Sequence, residues 1–363
     1  MFGRTKRQAK KRLASAGTFL EWLSAARELD NLVGTTEWIN EDDSPLYEKD
    51  LLIDLVISLE RLRKENRIPE LIKTLEDGLY RHHHDCINPS LYQETYSGES
   101  KVLPRRVLSE AAKTLNFLCD IPSSLYSDEA KLVQFKKSAK TFGRSALMLS
   151  GGATMGIYHL GVVKALHDAD LLPRVISGSS MGAIVAAGIC TRKRSQLDEF
   201  FRDPEQIHRT AMRFNSPGKI LREGALFDPQ MLLEHIRANL GGDFTFEEAY
   251  NISGLILNIS VSPTRSRQKP KILNYLSSPN LLVTQSTMVS CAMPLLFRPG
   301  MLMARGAQGT PEPYLPTERW VDGTLGGDLP MARVSRLHNV NHYIVSQTNP
   351  HIYPLLSKSD EPS

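Results

Sequence analysis

Apolar residues recur along the chain with two different periods, and the change between them falls near Phe142. Before it the spacing is helical. Phe19, Leu20, Leu23, Leu29 and Leu32 share one face of GTFLEWLSAARELDNLVG. Ser44-Pro45 supplies a helix start, with serine as cap and proline at the first helical position. Leu52, Leu55, Val56, Leu59 and Leu62 then form one stripe, and Val107, Ala111, Leu115 and Leu118 another, closed by Pro122. Stripes of this width cover a core rather than face a bilayer.

Beyond Phe142 short apolar runs alternate with helix-like stretches. SALMLS (145–150), RVIS (174–177), GLILNISVS (254–262), ERWVD (318–322) and HYIVSQ (342–347) read as strands. Residues 157–169 and MGAIVAAGIC (181–190) read as helices, and the Gly- and Pro-rich stretch 300–317 as a surface loop. Strands alternating with helices predict an α/β fold, a mostly parallel sheet flanked by helices and preceded by a helical domain. The expected organisation is a basic tail at 1–16, a helical domain at 17–140 and the α/β domain at 141–363, with no internal repeat.

Composition narrows the picture modestly. With 363 residues and 41% hydrophobic content the chain has material for a sizeable core. A formal net charge of +4 is too weak to argue for nucleic acid, and is compatible with an anionic membrane surface. Much of the excess lies in GRTKRQAKKR, read as a solvated tail or, with the next helix, as a surface anchor. Cys86, Cys119, Cys190 and Cys291 lie far apart, without metal or redox spacing, which suits a reducing intracellular compartment. No run is long enough to span a bilayer and no secretory signal opens the chain, so any membrane contact is expected to be peripheral. The run His82, His83, His84 cannot converge on one metal ion from a helix, since consecutive residues point in different directions.

The chemistry gathers in three places. LMLSGGATMGIYHL carries Gly151 and Gly156 at phosphate-loop spacing, but Ile157 and Tyr158 stand where lysine and serine or threonine are needed. The dinucleotide fingerprint fails at Ala153, so no nucleotide is expected. GSSMG, Gly178 to Gly182, fits Gly-x-Ser-x-Gly between a short strand and a helix, the setting of a nucleophile elbow for Ser180. The turn Gly151-Gly152-Ala153 then offers backbone N–H groups for an oxyanion hole. Asp322, at the end of a strand-like run and before a glycine, is the candidate base, expected where sites form in parallel sheets.

These elements, in this order, resemble the patatin-like phospholipase family over about 144–355. The resemblance implies a Ser180–Asp322 dyad without catalytic histidine, oxyanion donors at Gly151, Gly152 and Ala153, and no metal or cofactor. Family members usually carry a third glycine and a basic residue in the turn, where this chain has Ala153 and Met155. That departure, SCAMPLLFRP (290–299), SQTNPH (346–351) and the leading helical domain are similar to the intracellular triacylglycerol lipase branch. The implied activity is hydrolysis of acyl glycerol esters at a membrane or lipid-droplet surface. Phospholipase A or lysophospholipase activity, and a non-catalytic lipid-surface protein, are the alternatives. A missing cation at Met155 suits a neutral substrate. The order Ser…Asp…His also leaves a conventional triad through His338, His342 or His351 open. No histidine has an aspartate five residues later, so acyl transfer to lysophospholipid is not expected. Relatives of this branch continue with further helices, which leaves open that the chain is a fragment.

Overall fold

The computed structural model describes residues 2–80, 83–202, 215, 216, 218, 220, 222, 224–265 and 267–349. They form two compact units, one ending at Gly143 and the other beginning at Arg144.

The first unit is helical. Its elements are α1 (Phe2–Ser15), α2 (Phe19–Val33), α3 (Thr35–Asn40), α4 (Lys49–Lys64), α5 (Ile68–Gly78), α6 (Val102–Asp120) and α7 (Asp128–Phe142). The basic stretch expected as a tail is α1, packed along α2 through the buried Ala9 and tied to it by Arg12 and Glu28. Its Lys, Arg, Gln and Ala are good helix formers, and charge alone does not keep them unfolded. Ser44-Pro45 does not start a helix. The Ser44 hydroxyl accepts the Leu46 N–H at 3.2 Å in a local turn, and α4 begins at Lys49. The stripes of α4 and α6 do form a core with Leu71 and Leu75 of α5, whereas Phe19 and Leu20 remain 68% and 76% exposed.

The second unit is built on one sheet. Its elements are β1 (Arg144–Leu149), α8 (Tyr158–Asp168), β2 (Val175–Gly178), α9 (Met181–Cys190), α10 (Arg194–Arg202), α11 (Pro229–Leu240), α12 (Phe246–Ser253), β3 (Ile256–Pro263), β4 (Lys271–Leu273) and α13 (Val283–Ser290). These are followed by β5 (Met303–Arg305), β6 (Pro311–Pro313), β7 (Trp320–Asp322), α14 (Thr324–Gly327), α15 (Met331–His338) and β8 (Val340–Ser346). The strand order is β4-β3-β2-β1-β8, with β1, β2, β3 and β8 mutually parallel. Along β1, Leu147 and Leu149 enter one core with the α9 and α11 side chains, while Ala146 and Met148 enter the other with Val334 of α15. Both faces are covered, which is why these strands read as unbroken apolar runs. The stretch 300–317 is not loop throughout: β5 and β6 pair antiparallel within it.

One detail of the topology positions the site. Val261 of β3 pairs with Lys271 of β4 on one edge, so the antiparallel partner Asp322 of β7 occupies its other edge. That is the edge β2 uses up to Gly178, opposite Ile259. The ends of β2 and β7 therefore point at each other in a single column of the sheet. Asp322 was expected at the end of a parallel strand; its strand runs antiparallel, and the convergence comes from this head-to-head arrangement.

Candidate active site

Ser180 stands where β2 gives way to α9. Its backbone adopts φ 51°, ψ −123°, a conformation costly for a residue with a Cβ. The turn is tight enough that a side chain at Gly178 would lie 2.3 Å from the Gly182 carbonyl, and one at Gly182 2.3 Å from that of Leu149. Only glycine fits either place. The elbow is held by hydrogen bonds that the sequence pattern did not announce. Ser180 N–H donates to Ser290 Oγ at 3.0 Å, and the Ser290 hydroxyl donates to the Ser260 carbonyl at 2.8 Å. Ser179 donates its hydroxyl to the main-chain oxygen of Asp328 at 2.7 Å.

Asp322 is fully buried. Its Oδ1 accepts the Thr324 N–H at 2.9 Å, while Oδ2 has no partner in hydrogen-bond geometry among the described residues. Burial pushes its carboxyl above the ordinary aspartate value, the Thr324 N–H and the Ser180 hydroxyl pull it down, and Asp328 raises it further. The Ser180 hydroxyl thus acts on Asp322 without completing a bond to Oδ2, as is common before substrate binds. It acts in the same way on Cys291, whose thiol is held well above its ordinary value by burial and then by Asp322. A thiol so protonated is a poor nucleophile, which leaves the hydroxyl as the reactive group at this spot.

The glycine turn follows β1. Gly152 has φ 155°, and a side chain there would strike Thr348 Oγ1 at 2.3 Å. Gly151, expected as one of three oxyanion donors, has its N–H engaged by Asp328 Oδ1 at 2.8 Å. The Gly152 and Ala153 N–H groups have no partner among the described residues. The Gly151 carbonyl accepts both the Ser150 hydroxyl at 2.6 Å and the Thr348 hydroxyl at 2.9 Å. Behind the turn His159 is buried between Ser346 Oγ at 2.7 Å and the Ser150 carbonyl at 2.9 Å. Burial lowers its imidazole pKa, so it is neutral and structural.

Gly152, Ala153, Ser180, Cys291, Asp322 and Asp328 open onto one cavity of about 600 Å³, walled by apolar residues that include Ile184, Leu232, Leu296, Phe297 and Leu329. No lysine, arginine or histidine lines it among the described residues. His338 bonds Asn258 at 2.8 Å inside the core, its pKa pushed down to about 4 mainly by burial. His342 bonds Ser145 near the far end of β1. Neither meets Asp322, and His351 lies outside the described residues. The rival triad thus gains nothing from the two histidines that are described.

Comparison with known proteins follows the same division. The profile of the patatin-like phospholipases matches residues 147–334, and a domain of unknown function, DUF3336, matches residues 2–140. Triacylglycerol lipase SDP1L of Arabidopsis thaliana is 36% identical over 95% of this chain and 44% of its own length. Triacylglycerol lipase 4 of Saccharomyces cerevisiae is 34% identical over 95% of the chain and 39% of its own. Triacylglycerol lipase ptl3 of Schizosaccharomyces pombe is 33% identical over 97% of the chain and 74% of its own. The chain thus spans less than half the length of the first two curated relatives.

Proposed function

The chain belongs to the patatin-like phospholipase family, and on that premise we propose that it is a serine carboxylic ester hydrolase acting on acyl glycerols, a triacylglycerol lipase using a Ser180–Asp322 dyad. The observation that carries this reading is the nucleophile-elbow serine beside a buried aspartate with one open carboxylate oxygen, both on an apolar cavity.

In this mechanism Asp322 Oδ2 takes the hydroxyl proton as Ser180 Oγ attacks the ester carbonyl. The raised pKa of Asp322 makes it a stronger base than an exposed aspartate. Negative charge on the carbonyl oxygen is received by the Gly152 and Ala153 N–H groups, with help from the N-terminus of α9. Asp322 returns the proton to the departing glyceryl oxygen. Water, deprotonated by Asp322, then cleaves the acyl-enzyme and regenerates Ser180. These steps use only groups of the chain and water.

A neutral substrate is supported by the absence of basic residues from the described lining of the cavity and by Met155 in the turn. The names of the relatives agree with it. We place the enzyme peripherally at a lipid surface, membrane or droplet: no described helix is long and apolar enough to cross a membrane. Four cysteines, none of them in a disulfide, suit the reducing interior of a cell. The division into a helical domain of residues 17–140 and a catalytic domain from 141 belongs to the same proposal.

The test compares emulsified triolein with phosphatidylcholine for the wild type, Ser180→Ala and Asp322→Asn. Triolein hydrolysis in the wild type and its loss in both variants is the expected result. Cleavage of phosphatidylcholine alone transfers the activity to phospholipids, and no activity on either in a folded protein favours a non-catalytic lipid-surface role.

A further inference from the structure

Resting on the Ser180–Asp322 reading, we propose that Asp328 is the positioning residue of this site: it fixes the 151–153 turn against the nucleophile elbow, so that the Gly152 and Ala153 N–H groups stand where the oxyanion forms.

Asp328 touches both the oxyanion turn and the nucleophile elbow. Its Oδ1 accepts the Gly151 N–H at 2.8 Å, its Oδ2 accepts the side-chain amide of Asn349, and its main-chain oxygen accepts the Ser179 hydroxyl at 2.7 Å. Gly151 opens the turn, Ser179 precedes the nucleophile, and Asn349 follows β8. Asp328 itself lies six positions after Asp322 in the same glycine-rich segment. The turn and the elbow are thereby referenced to one side chain and its peptide, in the segment that also carries the base.

The aim of the donors follows from peptide geometry. Both polar groups of Gly151 are committed: its N–H to Asp328 and its carbonyl to the Ser150 and Thr348 hydroxyls. In a trans peptide the carbonyl and the next N–H point in opposite directions. Drawing the Gly151 carbonyl toward Ser150 and Thr348 turns the Gly152 N–H to the other side, where Gly152 lines the cavity. Without Asp328 the Gly151 N–H is released, and the turn is free to rotate its donors away from the ester. Misplacement of about 1 Å costs on the order of 100-fold in rate.

The carboxylate of Asp328 also bears on the base electrostatically. The titratable neighbours are Asp322 and, beside it, the Cys291 thiol, with His159 behind the turn. Removing the Asp328 charge favours ionised Asp322 and moves the acid limb of the rate profile to lower pH. A purely structural loss lowers the rate at every pH and leaves the limb in place.

The experiment measures kcat, KM and the pH profile of kcat/KM for Asp328→Ala and Asp328→Asn in the whole chain, on a soluble p-nitrophenyl ester. The expected loss in Asp328→Ala is about 100- to 1,000-fold in kcat, as for removal of one oxyanion donor, with KM nearly unchanged. Asp328→Asn keeps an oxygen for the Gly151 N–H, so it recovers at least about tenfold of that loss and shifts the acid limb downward. A folded Asp328→Ala with near wild-type kcat, or a loss confined to KM, overturns the proposal. Should the alanine variant not fold, Asp328→Asn decides by itself: a wild-type kcat, whether or not KM changes, overturns the proposal. Ser180→Ala and Asp322→Asn are run alongside. Wild-type turnover in either overturns the dyad and this proposal with it, whereas inactive dyad variants beside an unimpaired Asp328→Ala overturn this proposal alone.

Discussion

Ser180 donates its main-chain N–H to the hydroxyl of Ser290, 110 positions later in the chain, at 3.0 Å. Ser290 in turn donates to the Ser260 carbonyl, so this buried side chain moors the strained elbow to β3, beside the hydroxyl pair of Ser179 and Ser260. Ser290→Ala leaves the Ser180 N–H without its acceptor. The expected cost is about 1–3 kcal/mol of stability, read by urea unfolding. A drop in kcat at constant KM should accompany it, because the nucleophile loses its anchor while the acyl cavity is untouched.

Asp322 predicts two opposite dependences on pH. Its folded-state pKa is raised, chiefly by burial, so its contribution to stability is present below the unfolded aspartate value and is lost as pH rises through the folded one. Asp322→Asn should therefore unfold at higher temperature than the wild type at pH 7, with the gap closing in acid. Activity should run the other way, falling as acid protonates the base at a pH above the ordinary aspartate value. Calorimetry and a pH–rate profile of the same preparations check both. Equal melting temperatures at pH 7 would count against a buried, ionised carboxylate.

Two glycines separate the demands of the turn from those of an ordinary helix. Gly152→Ala places a methyl against Thr348 at a φ of 155°, and should abolish ester hydrolysis and lower stability. Gly161, inside α8, has open space at its Cβ position. Gly161→Ala should leave activity unchanged and raise stability by about 0.5–1 kcal/mol through helix propensity. Thermal melts with a soluble ester assay distinguish the two.

The histidines downstream of Asp322 give a further test. His342→Ala loses only an exposed hydrogen bond to Ser145, and should keep kcat within about twofold, since exposed substitutions rarely reach 0.5 kcal/mol. His338→Ala removes a buried partner of Asn258 and should lower the melting temperature while the remaining folded fraction stays active. Loss of kcat in folded His342→Ala would reopen a triad.

Much of the second unit was legible because its chemistry is local in sequence. The runs in β1, β2 and β3 are apolar on both faces, and GSSMG sits between a strand and a helix. The stripes of α4 and α6 were likewise readable, since leucine and valine recurring at helical spacing fit the buried face of a helix and no strand period. What failed depended on partners far away or on direction. The pattern WVD is the same whether β7 runs parallel or antiparallel to its neighbour, so the geometry behind Asp322 was invisible. The β5–β6 hairpin is two three-residue strands carrying Pro311 and Pro313, which read as loop. Gly151 looked like an oxyanion donor because nothing in its own segment reveals that Asp328, 177 positions on, takes its N–H. Asp328 carried one faint signal: a second aspartate in the glycine-rich stretch that already held Asp322.

The head-to-head meeting of β2 and β7 also governs when the site comes into being. Ser180 and Asp322 lie 142 positions apart, and they meet because the strands that carry them both pair with β3. Bringing such distant segments together bears a large loop-closure entropy and makes the step slow relative to local helix formation. Regain of esterase activity during refolding is therefore a clock for the last long-range pairing, trailing the recovery of helical signal. The same geometry means that a single backbone cut in the 306–310 turn would leave nucleophile and base on separate fragments, held together by non-covalent pairings alone, β7 on β3, β8 on β1 and β6 on β5.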